Sequence, residues 1–133
     1  TLGEPHLGFI VYQLKKRGVT EIKGGITVDD SYFSPERRAE GWKAEWVNDF
    51  YSPPICALSF NYNTIEVNVR AGAAGQKPRI DILPKGSNIK IINNAVTSSK
   101  QGALTTSWQG PDTIAIGGRV KPKASVVLKI PVN

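Results

Sequence analysis

With 133 residues, 40% apolar and 21% charged, the chain can bury one sizeable core or two small ones and has none of the composition of a disordered segment. It carries a formal charge of +6 and has no run of about 18 apolar residues, which excludes a helical membrane span. One cysteine excludes an internal disulfide, and one histidine with no cysteine cluster argues against a zinc site.

The charge is unevenly spread. Residues 1–69 hold seven bases and nine acids, whereas residues 70–133 hold ten bases against Asp81 and Asp112 alone. This suggests two modules, or a basic face turned toward an anionic surface. The bases stand singly, without interleaved aromatics, so no nucleic-acid partner is expected. The absence of methionine is read as the mark of a processed or excised piece, with no signal peptide ahead of Thr1.

In chain order, Pro5 to Arg17 is predicted as a helix, because Leu7, Ile10, Val11 and Leu14 recur at helical spacing as one buried stripe. Pro5 suits the first turn, Lys15-Lys16-Arg17 suit the negative end of the helix dipole, and Gly18 supplies a left-handed cap. His6 is expected to be a solvated surface residue. Val19 to Ile22 is a brief strand-like piece. Gly24 to Phe33 then opens with two glycines, alternates through Ile26 and Val28, and ends in Asp29-Asp30-Ser31-Tyr32-Phe33. A strand tip of this kind holds its acids at a sheet rim, and the same acids beside Ser31 can instead cap a turn.

Ser34-Pro35-Glu36-Arg37-Arg38 is expected to start a short helix with Ser34 as cap. Trp42, Trp46, Phe50 and Tyr51 form either a loop packed into the core or a stacking platform for a ligand, the first being preferred. Ser52-Pro53-Pro54 forces the chain to extend, and Cys56, among Ile55, Ala57 and Leu58, reads as a buried structural thiol. Ala57–Phe60, a turn at Asn61–Asn63 and the period-two strand Thr64–Arg70 follow. Ala71-Gly72-Ala73-Ala74-Gly75 is the best boundary between a unit at 1–72 and one at 73–133. Beyond it, Arg79–Leu83, Asn88–Asn93, Ala103–Ser107, Thr113–Ile116 and Ser125–Val132 are predicted strands of a sandwich-like unit. The fold class is therefore α+β: a helix on a small antiparallel sheet, then a β-sandwich-like all-β unit.

No catalytic constellation emerges. Ser87-Asn88-Ile89-Lys90 and Ser59-Phe60-Asn61 match the Ser-x-x-Lys and Ser-x-Asn elements of penicillin-interacting enzymes. The first, however, lies on a strand, where positions three apart face opposite sides, instead of at a helix start. The order of the two is also reversed, and Lys-Thr-Gly is absent. Asp29 and Asp30 are too close in sequence to act as paired hydrolytic carboxylates on one face. Lys23-Gly24-Gly25 lacks the loop-into-helix context of a phosphate cradle. The chain alone is not expected to be an enzyme, and no cofactor is implied.

The run Gly-x-Ile-x-x-Asp-Asp-Ser-x-Phe ending at Phe33 resembles the inserted region of class C low-molecular-mass penicillin-binding proteins, serine-type D-alanyl-D-alanine carboxypeptidase/endopeptidases of peptidoglycan. Thr1-Leu2-Gly3, the Gln13–Ile22 segment, Gly41-Trp42, Tyr51–Pro54, Ala57–Thr64, Val69–Gly72 and Gly75–Pro78 are also similar to that family, densely to about residue 80 and more weakly beyond. The resemblance implies that this chain is much of a two-domain insertion, with the nucleophile upstream and the other two motifs downstream. It further implies a periplasmic or cell-wall location, and a peptidoglycan stem peptide reached through the parent catalytic domain. It assigns Asp29, with Asp30 second and Phe33 as an apolar neighbour, to recognition of the free amino end of the diaminopimelate side chain. Capping of a turn by Asp29 stands beside that role. A free-standing module that grips an anionic wall glycan through its aromatics and its basic half is the alternative.

Overall fold

The computed structural model describes residues 2–49, 51–100 and 102–132. Thr1 of the first matching triplet, Phe50 of the aromatic run, Gln101 and Asn133 lie outside the described residues.

The first element is α1, Glu4–Lys16. His6 is more than a solvated side chain: its Nδ1 accepts the Gly3 backbone N–H at 3.1 Å and so closes the first turn. At the other end Gly18, at φ +83°, donates to the Lys15 carbonyl (3.0 Å), and Val19 donates to that of Leu14 (3.1 Å). This is the reciprocal pair of a left-handed C-terminal cap. The expected buried stripe is absent. No residue of α1 is buried, and Leu7, Phe9, Ile10, Val11 and Tyr12 are all exposed. Helical periodicity reports an amphipathic surface, and among the described residues nothing covers this one. The helix is tied to the body just before its start, where Leu2 bridges Phe60 in parallel. There Leu2 donates to the Ser59 carbonyl (2.7 Å) and accepts from Asn61 N–H (2.8 Å).

The described residues of 19–56 form no strand, contrary to the expectation for Val19–Ile22 and for the Gly24–Phe33 alternation. A strand needs a partner for its backbone N–H and C=O groups. Among the described residues none faces this stretch, and Ile26 stands 93% exposed. Ser34 caps no helix; it hydrogen-bonds the carboxylate of Glu36 instead. Nor do the described aromatics Trp42, Trp46 and Tyr51 enter the core. Trp42 and Tyr51 are exposed, and Trp46 lies half-buried in a 3₁₀ turn, Ala44–Asn48, with Lys43 Nζ 5.4 Å from its ring centroid.

The remaining elements are β1 (Thr64–Arg70), β2 (Arg79–Leu83), β3 (Lys90–Asn93), β4 (Val96–Thr97), β5 (Leu104–Trp108), β6 (Thr113–Val120) and β7 (Ser125–Pro131). β1 is the middle of an antiparallel sheet ordered β2-β1-β7, with Val67 opposite Ile82 on one side and Leu128 on the other. β6 is the middle of the second sheet. It pairs in parallel with β3 and then β4, and antiparallel with β5. The expected turn before β1 is present, with Asn61, Tyr62 and Asn63 all at positive φ.

One apolar cluster joins the two sheets. Ile65, Val67 and Val69 of β1, Ile130 of β7, Ala95, and Ile114, Ile116 and Val120 of β6 are buried together. The alternation in β1 is the direct consequence: Ile65, Val67 and Val69 face the cluster while Thr64, Glu66 and Asn68 do not. Each such side chain is worth about 1.5–3 kcal/mol relative to exposure. Trp108 pins the sheets further, its indole N–H donating to the Pro131 carbonyl at 3.0 Å.

Candidate functional site

Asp29 and Asp30 are adjacent but do different work. The Asp29 carboxylate folds back on its own turn: Oδ1 accepts the Ser31 hydroxyl at 2.6 Å and the Ser31 N–H at 3.0 Å. This is an Asx-type turn, the local bond that an Asp two residues before a Ser offers the backbone. The Ser31 hydroxyl, and then its N–H, hold the carboxyl below the usual carboxylate value of 3.8 against a small desolvation cost. Asp29 is exposed, so the ionised group faces solvent.

Asp30 points the other way, into the chain. Desolvation pushes its pKa up, but the N–H groups of Leu58 (3.2 Å) and Ala57 (2.6 Å) and an ion pair with the Arg37 guanidinium outweigh it and leave the pKa lowered. Its side chain is 24% exposed. Arg37 is fixed in turn, donating weakly to the Ile55 carbonyl (3.4 Å), while its own carbonyl accepts the Ile55 N–H (2.7 Å). Arg38 donates to the carbonyl of buried Ser52 at 2.9 Å. Asp30 therefore clamps the acidic loop to the 52–58 segment, and Asp29 is left as the outward group. Tyr32 and Phe33 sit edge-to-face with ring centroids 5.3 Å apart, Tyr32 87% and Phe33 50% exposed. The rim thus offers an ionised carboxylate and aromatic surface side by side.

Behind the clamp lies an open cavity of about 550 Å³, bordered by Asp30, Arg37, Cys56, Phe60, Ile65 and Val132 among others. Cys56 is half-buried, not fully buried as expected. Its thiol donates to the Leu58 carbonyl and its sulfur accepts from Asn63 Nδ2, each at 2.9 Å. Arg37 and the backbone of 57–58 were not foreseen as part of this site. Asp30 and Ala57 are 27 residues apart, and no local pattern encodes such a contact. The Ser-x-x-Lys match does not assemble: Lys90 opens β3, with its amine 2.9 Å from Asp112. Among the described residues no group of three or more His, Cys, Asp or Glu side chains is placed to hold a metal ion.

The profile of the D-Ala-D-Ala carboxypeptidase 3 (S13) family matches residues 1–130. The chain belongs to that family. As an S13-family chain it is 28% identical over 136 residues to the D-alanyl-D-alanine carboxypeptidase of Actinomadura sp. (strain R39), an alignment covering 96% of this chain and 25% of that protein. The chain therefore spans about a quarter of the length of this curated relative. The S13 fold also superposes on the crystal structure of penicillin binding protein 4 from Haemophilus influenzae with a TM-score of 0.75 at 20% identity, covering 99% of this chain and 30% of that one. The same protein complexed with a β-lactam gives a TM-score of 0.61 at 17% identity, covering 99% and 27%. The resemblance drawn from the Asp-Asp-Ser-x-Phe run is thus borne out at the level of the family. Among the described residues no helix is long and apolar enough to cross a membrane.

Proposed function

We propose that this chain is a non-catalytic accessory part of a peptidoglycan D-alanyl-D-alanine carboxypeptidase, and that it forms one wall of the stem-peptide cleft. Its Asp29 pairs with the ammonium at the free end of a diaminopimelate side chain, Phe33 supplies apolar contact, and Asp30 holds the loop that presents them. On this reading the reactive serine and its lysine belong to other parts of the polypeptide, the two sheets form a sandwich-like scaffold, and the protein works in the periplasm or cell wall. The observation that carries the reading is the division of labour between the two acids. Asp30 is consumed by Ala57, Leu58 and Arg37, whereas Asp29 is ionised, pre-oriented by Ser31 and exposed beside an aromatic pair. A carboxylate so held gains most from an ammonium when substrate binding removes the water between them.

The test is Asp29→Asn in the complete enzyme, assayed on stem peptides with a free and with an N-acetylated diaminopimelate end. kcat/KM for the free-ended peptide should fall about tenfold, the order of one lost charge-assisted hydrogen bond, with little change for the acetylated one. Equal kcat/KM for wild type and variant on the free-ended peptide would remove Asp29 from recognition.

A further inference from the structure

At the far end of β1 from Asp30, three loops meet. Ala71 N–H donates to the Ala124 carbonyl (2.9 Å), Gly75 N–H to that of Thr97 (2.8 Å) and Thr97 N–H to that of Gln76 (2.8 Å). Ser98 N–H bonds the Val120 carbonyl (2.9 Å) and Arg119 N–H that of Ala103 (3.1 Å). These bonds bring residues 71–77, 97–100 with 102–103, and 119–124 to one end of the two sheets. The segments carry Lys77, Lys100, Arg119, Lys121 and Lys123, all exposed, and no Asp or Glu. The acids of this half are engaged elsewhere, Asp81 with Arg79 (3.2 Å) and Asp112 with Lys90 (2.9 Å). Among the described residues none of the five cations takes part in an ion pair.

The tip of this end is unusual in its backbone as well. Ala124 N–H closes a turn onto the Lys121 carbonyl (3.1 Å) with Pro122 second and Lys123 third, at φ +65°. Turns of this kind place glycine or asparagine at the third position because a Cβ there is disfavoured. The chain instead carries a cation at that point, beside another cation two residues earlier.

We propose that this end is a docking surface for an anionic lipid bilayer. Five cations without an ion-pair partner among the described residues, four on neighbouring loops and Arg119 at the end of β6, suit a plane of phosphate headgroups. The loops contain no aromatic ring on which a sugar of a linear wall polymer would stack. They also carry no large apolar side chain to insert among acyl chains, so attachment is electrostatic, reversible and salt-sensitive. The proposal does not rest on the role given to Asp29.

The test is co-sedimentation of the full chain with phosphatidylglycerol-containing vesicles and with vesicles of phosphatidylcholine alone, at low salt and at about 0.5 M. Binding is expected on the anionic vesicles only and is lost at the higher salt. The triple change Lys100→Gln, Lys121→Gln, Lys123→Gly should weaken it about 100-fold, at about fivefold per cation. Lys123→Gly relieves the left-handed lysine, so thermal stability measured in parallel should not fall. Lys15→Gln, Lys16→Gln and Arg17→Gln together, at the end of α1, remove the same three charges elsewhere and should change binding by no more than about twofold. Absence of low-salt binding to the anionic vesicles overturns the proposal, as does an equal loss from the α1 triple variant. Retention on soluble polyphosphate without vesicle binding overturns it in favour of a linear polyanion.

Discussion

Gly118 lies in β6 at φ +85°, opposite Leu104, and a Cβ built there would stand 2.0 Å from the Ala103 carbonyl oxygen and 3.0 Å from its carbon. Gly118→Ala therefore brings two separable penalties. The first is the left-handed backbone, about 1 kcal/mol for a residue with a Cβ. The second is displacement of the start of β5 by about an ångström, which costs the Arg119 N–H bond to Ala103 (3.1 Å), about 1 kcal/mol net. The same displacement loosens the packing of Leu104 against the cluster, worth about another 1–2 kcal/mol. The sum is about 3–4 kcal/mol, equivalent to a Tm lowered by about 10–15 °C in a chain of this size. Gly75 provides the control, since it shares φ +85° but a Cβ added to it would meet no atom within 4 Å. Gly75→Ala should cost only the backbone part, about 1 kcal/mol. Urea denaturation followed by tryptophan fluorescence measures both. If the two variants differ by less than about 0.5 kcal/mol, the close approach of β5 to Gly118 is not what selects glycine there.

Ile116→Ala, at the fully buried centre of β6, should cost about 4 kcal/mol by denaturant titration, through lost burial and the cavity left behind. Ile10→Gln on the uncovered face of α1 should change the stability of this chain by less than about 0.5 kcal/mol in the same assay. The pKa of Asp30 is depressed in the folded chain, so its contribution is complete above the ordinary value of 3.8 and is lost as the pH falls through its lower folded-state value. Amide exchange at Ala57 and Leu58 should accordingly become faster, relative to the β1 amides, in that acidic window. In Asp30→Asn the same amides should already be less protected at neutral pH, and no acid transition should remain.

The strands were legible where one face is buried and the other is not. Thr64–Arg70 alternates because Val67 and Val69 face the shared cluster. The Arg79–Leu83 limits also agree with the expectation residue for residue, although burial does not alternate along that strand. Partners were not legible. Period-two spacing looks the same whether a strand is antiparallel, as β7 is to β1, or parallel, as β3 is to β6. It also looks the same where no ladder forms, as at Ile26 and Val28. The α1 stripe failed for a related reason, since spacing identifies an apolar face without supplying what covers it. Within the site, the Asp29–Ser31 turn could be read because the bond spans two residues. The Asp30 clamp could not, because its donors are brought close only by the return of the chain at 52–58.

The described residues of 19–56 give no rung to either sheet. The stretch is tied to the chain beyond it where Asp30 accepts the Ala57 and Leu58 N–H groups and Asn63 donates to the Pro54 carbonyl, while Arg37 and Arg38 brace it internally. Stability thus draws on a stretch of polypeptide largely separate from the one that carries the proposed recognition role. Changes to the exposed side chains of this segment leave the ladders and the shared cluster untouched. On the proposed reading, a swap of residues 24–33 between relatives, with Asp30 retained, exchanges one ligand preference for another without disturbing the scaffold.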